Sequence, residues 1–436
     1  MSHLWAIVLS PLPGGGIVEA RRKAQKRLLP GRVRDRMGRD RASDERQPAI
    51  RLHEDGAPIW LRELEGVPAS AQADEARLLL AAHAKPPPAG NVLDLCCGTG
   101  LCAVAAARAA PSARVLAADV NYRFCAIAVS HAKRNDAENV VVEHSDGFDH
   151  LSDADFDEIY FYPPAHCSDM TVRKLIAQAL LRLRVGGRLW LAAQRRAAGR
   201  GYRRWATAVF GGGTRVARRR GCEVWVYRKT HSDAAAAAAR AEELAQQETH
   251  SYHTTVSGRQ FDFRTKVNVF SWSGLDEGTR LLLESLPDAR ASRVLDLGCG
   301  YGPIGIVAAR LYTGADVTMS DVDRRAVALA RINADANGRP QAHACISDGV
   351  KDLPNPRFDL ILSNLPTHVG NRYLLCLLRG AHERLSPGGR FIAVISKQLT
   401  VDRVARDIFG SALTVAESAS HRVFCCTKGN REGVGG

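Results

Sequence analysis

Asn91-Val-Leu-Asp-Leu-Cys-Cys-Gly-Thr-Gly100 returns 202 residues downstream as Arg293-Val-Leu-Asp-Leu-Gly-Cys-Gly-Tyr-Gly302. The same offset carries Asp119-Val onto Asp321-Val, Ser145-Asp-Gly onto Ser347-Asp-Gly and Phe156-Asp onto Phe358-Asp. It also carries Pro164 onto Pro366 and Gly186-Gly-Arg onto Gly388-Gly-Arg. One register held through so many landmarks marks a duplicated structural unit. At 436 residues the chain also exceeds what a single hydrophobic core ordinarily sustains. Two domains of one fold are therefore the first constraint, and any functional reading must ask which copy does what.

Each copy alternates short apolar runs with helix-period segments. In the second, Arg293–Leu297, Asp316–Ser320, Phe358–Ser363 and Arg390–Ser396 read as strands bounded by turn signals. Gly305–Leu311 starts a helix and Arg324–Asn337 has a helical period. Strand-helix alternation at this pitch predicts an α/β fold, a parallel, doubly wound, Rossmann-like sheet in each copy. The expected boundaries are a basic tail over 1–46, a first domain over 47–232, a helical linker over 233–250 and a second domain over 251–430. The linker rests on the alanine-rich stretch Asp233 to Glu248, which favours a helix.

The formal net charge is +14, and its excess is concentrated. One block lies in the tail, from Arg21 to Arg41. The other runs from Arg195 to Lys229, includes Arg203 and Arg204, and interleaves Tyr202, Trp205, Trp225 and Tyr227. Guanidinium groups mixed with aromatics suit phosphate pairing and base stacking, so RNA is the expected partner. No apolar stretch approaches the roughly 20 residues that a membrane-spanning helix needs. The run Leu4–Leu9 has no basic residue before it, which argues against a secretory leader. None of the 11 cysteines has metal-ligand spacing, so reduced thiols, no metal and a cytoplasmic location are expected. A monomer is the expected state.

In the second copy a strand enters Asp296-Leu-Gly298-Cys-Gly300-Tyr-Gly302, and a helix follows. Glycines let the backbone pass close to a ligand at a helix N-terminus. Gly300-x-Gly302-x-x-Gly305 formally matches a dinucleotide fingerprint, which keeps an NAD-dependent oxidoreductase as an alternative. Asp296 disfavours it, because a carboxylate there repels a pyrophosphate and suits the cationic amino end of S-adenosylmethionine. Asp321 ends the second strand, where a carboxylate can accept from ribose hydroxyls, and Asp348 follows the third, within reach of an adenine amine. Three acids at successive strand ends converge on one crevice of a parallel sheet.

The fourth strand ends in Ser363-Asn364-Leu365-Pro366-Thr367-His368, which resembles the Asn-Pro-Pro-aromatic motif of amino-group methyltransferases. An amine conjugated to a base is a weak nucleophile and must be held in line with the sulfonium methyl. The Asn364 side-chain oxygen and the Leu365 backbone carbonyl are the expected acceptors, with Pro366 fixing the turn. Leucine departs from the first proline of that motif. Thr367 stands where an aromatic would stack on the target base, leaving His368, Tyr373, Phe270 or Trp272 to supply stacking.

The run Val269-Phe-Ser-Trp-Ser-Gly-Leu-Asp-Glu-Gly-Thr-Arg-Leu-Leu-Leu283 is similar to the entry into the catalytic domain of ribosomal RNA guanine-N2 methyltransferases. The group in question comprises methyltransferase C, for small-subunit RNA, and methyltransferase G, for large-subunit RNA. The resemblance spans roughly Leu79 to Lys428. It implies a class I methyltransferase fold, a degenerate first copy, guanine N2 in ribosomal RNA as target, and Phe270 and Asp276 near the donor or target pocket. In the first copy Cys96 replaces the first glycine and Tyr162-Pro163-Pro164-Ala165 replaces the asparagine loop, so catalysis is expected only in the second. Two further alternatives are a protein glutamine methyltransferase, whose loop is similar, and a non-catalytic RNA-binding assembly factor.

Overall fold

The computed structural model describes residues 49–50, 52, 58–61, 74–151, 155–194, 199–231, 235–288, 290–354, 357–366, 370–399 and 401–429. The basic tail, Arg195, Arg196, Thr367 and His368 lie outside them. A short antiparallel pair, β1 (Ala49–Ile50) and β2 (Ile59–Trp60), precedes the first sheet. That sheet contains β3 (Ala89–Leu95), β4 (Ser112–Asp119), β5 (Val140–His144), β6 (Phe156–Phe161), β7 (Leu183–Gln194), β8 (Thr214–Arg219) and β9 (Cys222–Arg228). Its order is β5-β4-β3-β6-β7-β9-β8.

The helix Ala235–Gln247 and the hairpin β10 (Thr249–Val256) and β11 (Arg259–Lys266) lead into the second sheet. Its strands are β12 (Arg293–Leu297), β13 (Asp316–Asp321), β14 (Ala342–Ile346), β15 (Phe358–Asn364), β16 (Leu385–Ser396), β17 (Leu413–Glu417) and β18 (His421–Thr427). The order β14-β13-β12-β15-β16-β18-β17 repeats the first sheet strand for strand. The five strands from β14 to β16 are parallel because helical crossovers join them, and each face carries an apolar layer. Strand order reverses between β12 and β15, which opens a crevice at their carboxyl ends.

Three features differ from the sequence expectation. Neither sheet is wholly parallel, since β17 and β18, like β8 and β9, close it as an antiparallel tail. β16 begins at Leu385 rather than Arg390 and runs through Gly388-Gly389, which read as a turn. A register shift between Phe358 and Leu360 takes up the glycines, and a Cβ at Gly389 would sit 2.9 Å from the Ser386 carbonyl. The hairpins belong to the repeat: Asn135 bonds both the N–H and the C=O of Trp60 (2.7 and 2.9 Å). Asn337 does the same for Asp262 (3.1 and 2.7 Å), at the same 202-residue offset. A helix asparagine thus satisfies an edge strand whose backbone would otherwise be unpaired.

The two copies meet about a local two-fold axis. Tyr122 N–H donates to Val322 O (2.8 Å) and Arg324 N–H to Val120 O (3.1 Å), pairing equivalent loops. Beside this bridge lies a buried network. Glu248, fully buried, pairs with Lys174 (2.6 Å) and accepts from Thr171, whose hydroxyl also accepts from Asn268 (2.8 Å). The connecting segment is therefore docked onto the first copy.

Candidate active site

β12 delivers its chain into the crevice and then turns sharply, with Gly298, Gly300 and Gly302 at φ +77°, +55° and +95°. Only glycine adopts such angles at no steric cost. Gly298 and Cys299 N–H both donate to Ser320 O (2.9 Å each), pinning the turn to β13. Gly302 then caps the helix Pro303–Leu311, with Pro303 in its first turn. A Cβ at Gly298 or Gly300 would meet nothing within 4 Å, so the loop faces open space.

Asp296 lies under this loop, wholly buried. Its Oδ2 accepts from Gly305 N–H (2.7 Å), and its Oδ1 has no hydrogen-bond partner. Burial pushes its carboxyl up to about 7. A buried acceptor without a donor is uncommon and needs an account; beside an open glycine loop, a cationic ligand group provides one. Asp321 ends β13 and is pinned: Gly300 and Asp323 N–H donate to its two oxygens (2.9 Å each). Burial first, then the Asp323 charge, raise it to about 6. A carboxylate has about four lone-pair sites, so these backbone donors leave capacity for a ligand hydroxyl.

Asp348 is held by Tyr373 Oη (3.1 Å) and Lys351 Nζ (2.6 Å), with the first copy's Arg123 at 3.8 Å. That guanidinium also covers the Tyr373 ring at 4.0 Å from its centroid. Tyr373 is thus committed to the interface and is not free to stack on a base.

Asn364 closes β15. Its Nδ2 donates to Asp276 Oδ2 and to Thr279 Oγ1 (3.0 Å each), so Oδ1 is the end left for another donor. Leu365 follows with its side chain buried and its N–H bonded to Val394 O (3.1 Å). Pro366 ends the described part of the loop. Phe270 is 58% exposed on the segment leading into Asp276, and Trp272, nearby, packs on His250 (4.7 Å between centroids). The Asp276 and Thr279 contacts with Asn364 are what reading the sequence missed at this loop. The resemblance put Asp276 near the donor or target pocket, but nothing in the sequence joined it to a loop 88 residues later.

The first copy keeps the frame and fills the space. Cys96 takes the left-handed angle of Gly298 (φ +57°), and Asp119 accepts from Gly98 and Asn121 as Asp321 does from its counterparts. Arg77, the counterpart of Thr279, reaches over the loop and donates to Cys97 O (2.6 Å). A Cβ at Gly98 would lie 3.1 Å from its guanidinium, whereas the same atom at Gly300 is unopposed. Arg77 also lies over Tyr162, which replaces Asn364 (5.4 Å), and its charge acts on Asp94. Asp146, the counterpart of Asp348, pairs with Lys266. Both third-strand acids are thus paired, and the contrast between the copies lies at the glycine loop, where Arg77 occupies space that stays open in the second copy.

Arg203 and Arg204 sit on the helix Gly199–Phe210, remote in sequence from the crevice residues, with Arg204 exposed and Arg203 over Trp225 (5.1 Å). Arg215 and Arg218 share Glu223, and Arg219 and Arg220 share Glu75. Tyr202 and Tyr227 are core residues, which removes them as stacking platforms because their side chains are buried among apolar neighbours. Among the described residues no group of three or more His, Cys, Asp or Glu side chains is arranged for a metal, and no helix is long and apolar enough to cross a membrane.

Comparison with known proteins places this geometry. The methyltransferase small domain family matches residues 58–226 and again 260–425, starts that differ by the repeat offset. Ribosomal RNA small subunit methyltransferase C of Pseudomonas entomophila is 37% identical over 165 residues, 37% of this chain and 49% of that protein. Ribosomal RNA large subunit methyltransferase G of Klebsiella pneumoniae is 29% identical over 184 residues, 41% of this chain and 49% of that protein. The chain spans about half the length of the curated relatives it matches. The 16S rRNA N2 G1207 methyltransferase of T. thermophilus, solved with AdoMet and guanosine, shares the fold of both copies. Its TM-score is 0.72 at 24% identity, covering 88% of this chain and 98% of that one. The chain belongs to the methyltransferase small domain family, and it carries that domain twice.

Proposed function

We propose that the second copy transfers a methyl group from S-adenosylmethionine to an exocyclic amine in RNA, guanine N2 of ribosomal RNA. The observation that carries this reading is the pairing of two acceptors at one sheet edge: Asp296 Oδ1, buried without a donor, and Asn364 Oδ1, the amide end opposite the partners of Nδ2. The first suits the donor's ammonium and the second suits an N–H of the target amine. Family membership supplies the reaction class, and the names of the relatives support ribosomal RNA. The net charge of +14 and the exposed arginines, Arg204 among them, favour a polyanionic substrate.

When bound, S-adenosylmethionine supplies an electrophilic methyl group on a sulfonium. Asp296 anchors its amino end, Asp321 its ribose and Asp348 the adenine amine. Gly298 and Gly300 leave the room that side chains would take. Asn364 Oδ1 and the Leu365 carbonyl accept the two amine hydrogens, which directs the nitrogen lone pair outward and stabilises positive charge developing on that nitrogen. Phe270 lies exposed on the segment entering the site and is available to stack on the base. One amine proton leaves to water after transfer, so no buried base is required.

The test is methyl transfer from labelled donor to total RNA of a strain lacking the protein, followed by digestion to nucleosides. Label in N2-methylguanosine, lost with Asn364→Ala, is expected. Label that enters protein and not RNA overturns the RNA reading in favour of a glutamine amide target.

A further inference from the structure

We infer that Asp276 and Thr279 are positioning residues that fix which way round the Asn364 amide sits, and so aim its oxygen at the amine; the inference rests on the reading of Asn364 as the acceptor of that amine. Asp276 Oδ2 and Thr279 Oγ1 converge on one end of the amide, each 3.0 Å from Nδ2. An ionised carboxylate has no proton to donate, so only the NH2 end of an amide can face it. The Thr279 hydroxyl hydrogen is directed at the same carboxylate oxygen (3.5 Å), which leaves a hydroxyl lone pair for Nδ2. Rotating the amide by half a turn would set Oδ1 against two oxygens. The arrangement thus admits one orientation, with Oδ1 directed away from the helix Glu277–Glu284.

The helix terminus holds the clamp in place. Asp276 is its N-cap and accepts from Thr279 N–H (2.9 Å), so both clamp oxygens are tied to one turn of backbone. Thr279 is 4% exposed. Gly278 between them has no room for a side chain: a Cβ would lie 2.8 Å from His421 Cδ2 and 3.1 Å from Asp276 Oδ2.

The first copy separates capping from clamping within one chain. Asp74 caps the helix Glu75–His83 as Asp276 caps its own, accepting from Ala76 and Arg77 N–H (3.0 Å each). Thr279 and Asn364, however, have become Arg77 and Tyr162 there. Helix capping needs only the aspartate, which both copies keep. The threonine-asparagine pair is present only where an amine is to be held.

The experiment measures single-turnover methyl transfer from labelled S-adenosylmethionine to total RNA of a strain lacking the protein. Thr279→Val keeps shape and removes the hydroxyl, Thr279→Ser restores it, and Asp276→Ser keeps a capping oxygen on a shorter arm. Each is made alone and with Asn364→Ala, and donor affinity is read by calorimetry. Thr279→Val and Asp276→Ser are expected to slow transfer by about tenfold to a hundredfold, the scale of a misplaced reacting group. Thr279→Ser is expected to recover the rate, with donor affinity unchanged throughout. In the Asn364→Ala background the same changes should have no further effect, since they act through that amide. Unchanged transfer in Thr279→Val, or an equal loss in the Asn364→Ala background, overturns the inference. Full transfer by Asn364→Ala alone overturns the underlying reading and the inference with it.

Discussion

Asp296→Asn should make the donor-free protein more stable above neutral pH while abolishing donor binding. The folded carboxyl is raised to about 7 by burial, from 3.8. Its contribution to stability is therefore full below the unfolded value and lost as pH rises through about 7, because ionisation is easier in the unfolded chain. At 1.36 kcal/mol per pH unit, that rise means that the ionised group costs the folded state about 4 kcal/mol above this range. Asparagine removes this cost and still accepts from Gly305, but its NH2 takes the position of Oδ1, which has no partner. That unsatisfied donor costs about 1–3 kcal/mol at every pH. The variant should thus gain about 1–3 kcal/mol near pH 8 and lose that advantage, or fall below wild type, near pH 5. Urea unfolding of both proteins at the two pH values measures the difference. A difference that does not change with pH refutes the reasoning, and so does a donor that stabilises the variant as much as wild type.

Other consequences follow from the same geometry. Arg77→Leu should destabilise the first copy by about 1–3 kcal/mol, through the lost charged hydrogen bond to the Cys97 carbonyl, which keeps Gly100 N–H, and through the uncompensated Asp94, without changing donor binding; chemical denaturation and calorimetry check both. Gly278→Ala should lower the transfer rate and spare donor affinity, because the added carbon displaces Asp276 or His421; single-turnover kinetics read it. Removing Arg203 and Arg204 together should weaken RNA binding and flatten the slope of log affinity against log salt by up to about 2.

Much of this was legible in the chain, for reasons particular residues show. Buried parallel strands such as Val294–Leu297 are largely apolar and end at glycines, so β12, β13 and the acids at their ends stood out. The offset located the crevice twice and exposed Cys96 and Tyr162 as changes. What escaped depends on contacts between distant segments. The antiparallel tails alternate weakly: in β17 only one of five residues is other than exposed, so its pattern has little contrast. The plugging of the first copy by Arg77 needed coordinates, because an arginine inside a helix ordinarily reads as a solvated surface residue. The same holds for the contact of Asp276 with Asn364, since the resemblance put Asp276 near the pocket without naming its partner, and for Tyr373, offered as a stacking residue but taken up by Asp348 and Arg123.

The central claim is a division of labour, in which the second copy binds the donor and the first has closed its site on itself. Calorimetric titration of the whole chain with S-adenosylmethionine tests it most directly, comparing wild type with Asp296→Asn and Asp94→Asn. The account predicts one donor per chain, lost with Asp296→Asn and kept with Asp94→Asn. Two donors per chain, or a single site that survives Asp296→Asn and disappears with Asp94→Asn, would contradict it.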